Sequence, residues 1–243
     1  MEAFELIIVS LLGLAGLFYT MGGFAGGSMF IAILLWSGQP PGQTATAGLI
    51  FNIFSTMSSL TRWRIHVSKD LLWFIVGSVP AAFFSGSLIL PEQVLKIIMG
   101  TSIAGGGLAI IIATSPLRTI RLGVTLKILL GTMIGIVAGA TGIGGGVYLA
   151  PLLILGGIAE PKNSAATTTV FIMLNSLAGI AARAPRLIPI LPNPLLLITI
   201  PVVIIAAQLG SYLGSKRLAQ LGVRRVIGVI LVTIGTYFTA SSI

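Results

Sequence analysis

Apolar residues run through this chain in unbroken blocks, and glycine, proline, amide and charged residues fall between them. Ten blocks stand out, at 4–21, 25–37, 44–61, 71–90, 93–114, 122–140, 145–158, 164–182, 193–215 and 223–242. Continuous runs without a period of two predict helices and not strands. Eight of the ten come close to the roughly 20 residues that cross the hydrocarbon of a bilayer, whereas 25–37 and 145–158 fall short of it. Both short blocks open on glycines, in Phe24-Ala25-Gly26-Gly27-Ser28 and Gly142-Ile143-Gly144-Gly145-Gly146.

Those glycines are not of one kind. Gly131, Gly135 and Gly139, like Gly210 and Gly214, recur every four residues and so form stripes on which a second helix can lie close. Gly26-Gly27-Ser28 and Gly144-Gly145-Gly146 are contiguous, cannot share one face, and weaken a helix by about 1 kcal/mol per glycine. They predict helix breaks. A helix that restarts after a break presents unpaired N–H groups and the positive end of its dipole, and glycine lets a ligand reach that backbone.

The short blocks also reveal a repeat. A shift of 118 lays Gly27-Ser28-Met29-Phe30-Ile31-Ala32 over Gly145-Gly146-Val147-Tyr148-Leu149-Ala150, and Leu34, Leu35 and Gly38 over Leu152, Leu153 and Gly156. After a gap of three the shift becomes 121, which carries Pro40, Ala45, Thr46, Ser55 and Arg62 onto Pro161, Ala166, Thr167, Ser176 and Arg183. The chain therefore divides into repeats at 1–117 and 118–243, each of five segments. An odd number predicts that the second repeat enters the membrane from the opposite side, with the two breaks meeting near the midplane.

Composition fixes the solvent. With 56% hydrophobic residues, 8% charged residues and a mean hydropathy of +1.08, no single water-soluble core could hide this surface. The expected fold is an all-α polytopic bundle in a lipid bilayer. Glu2 and Glu5 stand where a cleaved signal would carry positive charge, so the first block reads as a span. If every block crosses, 11 of the 14 Lys and Arg residues fall on one side, which orients that side to the cytoplasm and both termini outside. The net charge of +9 is thus an orientation signal and not a nucleic-acid patch.

The missing residue types narrow the chemistry. All five acidic residues (Glu2, Glu5, Asp70, Glu92 and Glu160) lie at block ends, which argues against a cation pump. His66 is the only histidine, cysteine is absent, and no nucleophile-base pair, metal-ligand cluster or Lys-Ser/Thr after the triple glycine appears. The reading is a non-enzyme with no metal or cofactor. Polar residues after each break complete a candidate anion site: Gln43, Thr44, Thr46 and Asn52 in the first repeat, and Ser164, Thr167, Thr168, Thr169 and Asn175 in the second. With Gly26, Gly27, Ser28, Gly144, Gly145 and Gly146 they form the predicted site. If anion approach explains the glycines, Gly27→Ala and Gly145→Ala should abolish binding and leave the fold nearly intact.

FAGGSMFIAILLWSGQPPGQTATA and GIGGGVYLAPLLILGGIAEPKNSAATT resemble the two signature motifs of the sulfite exporter TauE/SafE family. In that family each half has a glycine cluster, a Pro-Leu-Leu type run and a Pro-x-x-x-Ala-x-Thr-Ser type segment. The second motif is close, with Gly144, Gly145, Gly146, Pro151, Leu152, Leu153 and Thr167 in place. The first departs from it, with Ala25 before the glycines, Ser28 for the third glycine and Ile33 for the proline. The resemblance implies a secondary transporter of sulfite or short organosulfonates in the bacterial cytoplasmic membrane, exporting by alternating access as one half rocks against the other. The alternative class is an anion channel, or a permease for another small anion, with the same glycine-lined path.

Overall fold

The computed structural model describes residues 3–112, 120–216 and 220–242. Among them there are helices and turns and no strands. The helices are α1 (Ala3–Met21), α2 (Gly27–Trp36), α3 (Pro41–Trp63), α4 (Trp73–Ser87), α5 (Glu92–Ile112), α6 (Val124–Thr141), α7 (Gly146–Leu155), α8 (Pro161–Ala182), α9 (Ala184–Leu187), α10 (Pro194–Lys216) and α11 (Gln220–Ala240). Each predicted block holds one α-helix, and the single-turn α9 and two short 3-10 turns, Arg64–His66 and Lys69–Leu72, are additional. Pro41 and Pro161 open α3 and α8 at the position where a missing N–H costs nothing. Gly142 closes α6 in the left-handed conformation, its N–H bonded to Ala138 O.

Six helices are long and apolar enough to cross a membrane, and α3 equals them in length while carrying more polar residues. Its place explains the difference. α3 and α8 form the central pair and run antiparallel, with Leu49 beside Gly179 at one end and Trp63 beside Ala166 at the other. Other helices surround them, so their hydroxyls and amides meet protein instead of lipid.

Glycine stripes decide the remaining contacts. α6 lies parallel to α4, and a β-carbon added at Gly135 would fall 2.3 Å from Ser78 O, and one at Gly139 2.2 Å from Ala82 O. α1 lies parallel to α10 in the same manner, with Gly210 on Leu17 and Gly214 on Met21. α5 and α11 cross antiparallel, Gly100 against Thr239 and Gly107 against Gly228. Such contacts bring backbones together without side chains between them. Each parallel pair joins a helix before residue 118 to one after it.

α2 and α7 have 10 residues each, about 15 Å, or half the hydrocarbon thickness. α2 turns back along α3, with Ile31 over Gly48 and Gly27 beside Asn52, the twelfth of the 23 residues of α3. α7 begins beside Ile172, the twelfth of the 22 residues of α8. Both half-helices therefore start at mid-height of the central pair.

The helix directions gather Arg62, Arg64, Lys69, Arg121, Lys127 and Lys162 at one end of the bundle, and Lys96, Arg183 and Arg186 at the other. Arg118 and Arg217, and the side chains of Lys216 and Arg224, lie outside the described residues. Lys127, only 2% exposed, pairs with Asp70 at 2.5 Å and ties the start of α6 to the turn before α4.

Candidate functional site at the facing helix breaks

The chain between α1 and α2, residues 22–26, and that between α6 and α7, residues 142–145, are not helical, and they touch each other. A β-carbon added at Gly27 would stand 2.1 Å from Ile143 O and 2.7 Å from both amide atoms of Asn52. Asn52 Nδ2 donates to Ile143 O at 3.1 Å and to Gly142 O at 3.4 Å, so an amide of the first repeat satisfies carbonyls of the second break. Gly144 fits between Asn52 and Ser176. Gly144 and Gly145 have φ of +82° and +81°, which only glycine adopts at little cost, so the conformation of the break is written into these two residues.

The predicted residues divide into those the fold brings to the breaks and those it does not. Gly26, Gly27, Ser28, Gly144, Gly145 and Gly146 are all buried there. The Ser28 hydroxyl shares a 2.8 Å hydrogen bond with Tyr19 OH. Thr46 Oγ1 donates to Gly42 O of its own helix, the ordinary role of a membrane threonine. Gln43 is exposed in the first turn of α3 and lines a recess of about 30 Å³ with Gln39, Thr44 and Asn193, away from the breaks. Ser164 donates to Ala150 O, and Thr169 to Ala165 O and Gly23 O. Asn175 Nδ2 turns to Phe171 O and Ser78 Oγ. Asn52 and Asn175 lie well inside their helices rather than at the helix starts the sequence suggested.

A further group of atoms has no partner. Asn52 Oδ1, Thr167 Oγ1, Thr168 Oγ1, Asn175 Oδ1 and Ser176 Oγ are fully buried without a hydrogen bond. Each such atom costs about 1–3 kcal/mol, so five on one helix pair call for an occupant or a function. Ser176 was visible in the sequence only as the mate of Ser55, which is itself engaged: Ser55 Oγ donates to Ala25 O at 2.7 Å and holds the first break.

Arg183, just past the end of the 164–182 block, is 2% exposed, with Nη2 donating to Gly139 O at 2.6 Å and Ala140 O at 2.9 Å. The end of α8 lies against the end of α6, whose unpaired carbonyls carry negative dipole charge that a guanidinium satisfies. Arg186 does the same for α4, through Ser87 O and Leu88 O.

Chemically, two amino-terminal helix ends, amides and hydroxyls meet at mid-height. Among the described residues the carboxylates of Glu5, Asp70, Glu92 and Glu160 all lie near helix ends, and no group of three or more His, Asp or Glu residues could hold a metal ion. This arrangement suits a small anion that accepts several hydrogen bonds.

A family profile described as "Sulfite exporter TauE/SafE" matches residues 7–238. The "Probable membrane transporter protein y4hK" of Sinorhizobium fredii (strain NBRC 101917 / NGR234) is 30% identical over 232 residues, which cover 89% of this chain and 91% of that protein. No solved structure matches the chain.

Proposed function

The chain belongs to the sulfite exporter TauE/SafE family and is a membrane transporter, and from that premise we propose that it exports small sulfur oxyanions by alternating access. Sulfite or a short organosulfonate such as sulfoacetate is the substrate, and the bacterial cytoplasmic membrane is the site. The observation that carries the reading is the meeting of the Gly27 and Gly144–Gly146 breaks around Asn52, beside Thr168 and Ser176, with buried polar atoms left unpartnered. An anion there would accept from the N–H groups at the starts of α2 and α7 and from the hydroxyls of α8. Opening toward either side would have to release Asn52 from Ile143 and Gly142.

The two repeats are inverted in this proposal. Supporting it, α1 on α10 corresponds to α6 on α4, and Pro80 inside α4 and Pro201 inside α10 stand at the same shift of 121. The end that carries Arg62, Arg64 and Lys69 faces the cytoplasm, by the distribution of basic residues. In a chain without cysteine, a Ser241→Cys variant, at an exposed position, is expected to react with an impermeant thiol reagent added outside, and a Ser68→Cys variant to stay protected; the opposite pattern reverses the orientation.

Substrate is tested by thermal unfolding of the purified protein in sulfite, sulfoacetate and taurine, with chloride as the control. A ligand at about 100 times its Kd stabilises the folded state by about 2.7 kcal/mol, so the correct anion raises the unfolding temperature by several degrees. A response to none of the sulfur compounds, or an equal response to chloride, overturns the assignment.

A further inference from the structure

The two breaks are mates in sequence, yet their polar surroundings are used differently. Around the first, the hydroxyls are engaged: Ser28 with Tyr19, Ser55 with Ala25 O, Thr46 with Gly42 O and Thr56 with Asn52 O. On α8, which packs on the second break, Thr167, Thr168 and Ser176 are buried with free hydroxyls. Ser55 and Ser176 make the contrast sharpest, because a shift of 121 superposes them. Ser55 fastens its break, whereas Ser176 Oγ stands 3.3 Å from where a β-carbon on Gly144 would be and bonds nothing. Thr168 turns its methyl to Gly146, the first residue of α7. The free Ser176 hydroxyl thus sits beside the break that leads into the helix end with unpaired N–H groups.

Electrostatics separates the breaks in the same sense. Every break presents a negative carboxy end of the arriving helix near the positive amino end of the departing one. At the second break the last carbonyls of α6 receive the Arg183 guanidinium, which is buried and bonded to backbone oxygens. Arg62, the mate of Arg183, is exposed and stacks on the Tyr212 ring at 4.7 Å. Among the described side chains, only the second break has a buried cation over its negative end.

We infer that the anion site is one-sided. The amino end of α7 and Ser176 Oγ hold the oxyanion, Arg183 is a positioning residue that cancels the negative end of α6, and the first break is a wall closed by Asn52. This rests on the anion-transport reading above and adds to it the half of the protein that binds.

The matched serines supply the test. In purified protein, sulfite affinity is measured by calorimetry and stability by thermal unfolding. Ser176→Ala is expected to keep or raise the unfolding temperature without ligand and to weaken sulfite binding about tenfold, by the loss of one hydrogen bond to a charged group. Ser55→Ala is expected to lower that temperature and leave the affinity within about twofold, since its bond is internal to the fold. Arg183→Lys should bind nearly as wild type. Arg183→Gln should weaken a monoanion, methanesulfonate, about tenfold and a dianion, sulfite at alkaline pH, about a hundredfold, because a lost unit charge acts once on each ligand charge.

A purely structural Arg183 would reduce both anions equally and would overturn its assigned role. Equal losses from the two serine variants, or a loss at Ser55 alone, would overturn the one-sided site. If Arg183→Gln does not fold, the serine pair still decides. Wild-type protein that binds no oxyanion refutes the transport reading itself, whereas wild-type binding with an indifferent Ser176→Ala refutes only the subsite.

Discussion

Gly27→Ala is expected to cost about 3 kcal/mol or more of stability, at the upper end of what overfilling a close-packed interior does. The added methyl would have to occupy a point 2.1 Å from Ile143 O, which is backbone and cannot rotate away, and 2.7 Å from the Asn52 amide. Relief would require the two breaks to separate. The sequence alone suggested that alanine would be tolerated at both opening glycines, and the contact with Ile143 removes that expectation for Gly27. Gly145→Ala should be milder. Its φ of +81° costs a non-glycine residue about 1–2 kcal/mol, and the nearest atom, 2.8 Å away, belongs to the Phe171 ring, which can shift. Thermal unfolding of both variants checks the order, and a Gly27→Ala protein as stable as wild type would mean that the breaks do not touch.

Asn52→Asp is the second large effect. The change is almost isosteric, but it replaces the Nδ2 donor with an oxygen that faces the carbonyls of Ile143 and Gly142 at 3.1 and 3.4 Å. Asn52 is fully buried, and removing one partner of a buried polar contact while adding an uncompensated charge costs about 3–5 kcal/mol. The new negative charge would also oppose an anion at the amino end of α7. Asn52→Ala, which removes the donor and brings no charge, should cost about 1–3 kcal/mol. Size-exclusion profiles and unfolding temperatures distinguish these, with sulfite-induced stabilisation as the functional readout. A stable Asn52→Asp protein that sulfite still stabilises would show that the amide neither joins the breaks nor lies beside the anion.

Much of this architecture is legible in the sequence because a bilayer permits so little else. Backbone groups in hydrocarbon must be satisfied within a helix, so each apolar block became one, to within a few residues. The breaks were legible because each glycine run opens a short block; contiguity alone does not break a helix, since Gly105, Gly106 and Gly107 stay inside α5, where Gly106 packs on Val147 and Gly107 on Gly228. What sequence could not give is which side chain crosses to which break. Asn52 and Asn175 look equivalent, but a shift of 121 carries Asn52 to residue 173, and two further residues turn a helix by about 200°. Asn52 therefore reaches the facing break, while Asn175 points to Ser78 on α4. Arg183 was hidden for a related reason: a basic residue next to a turn reads as solvated until the end of another helix is placed beside it.

The interlaced pairing of α1 with α10 and α4 with α6 also changes how motion must be described. With Gly210 seated on Leu17 and Gly135 on Ser78, the halves of the sequence do not form separate blocks in space. A rocking motion that left each half rigid would have to pull those backbone contacts apart.

The same interlacing sets a timetable for the nascent chain. α6 begins 37 residues after α4 ends, Val124 against Ser87, so at about 5–20 residues per second its partner emerges within about 2–7 s. α1 ends at Met21 and α10 begins at Pro194, 173 residues later, a delay of about 9–35 s. For that interval Gly13, which finally rests on Val202, lacks the helix it packs on, and α1 waits for α10 through the making of every helix between them.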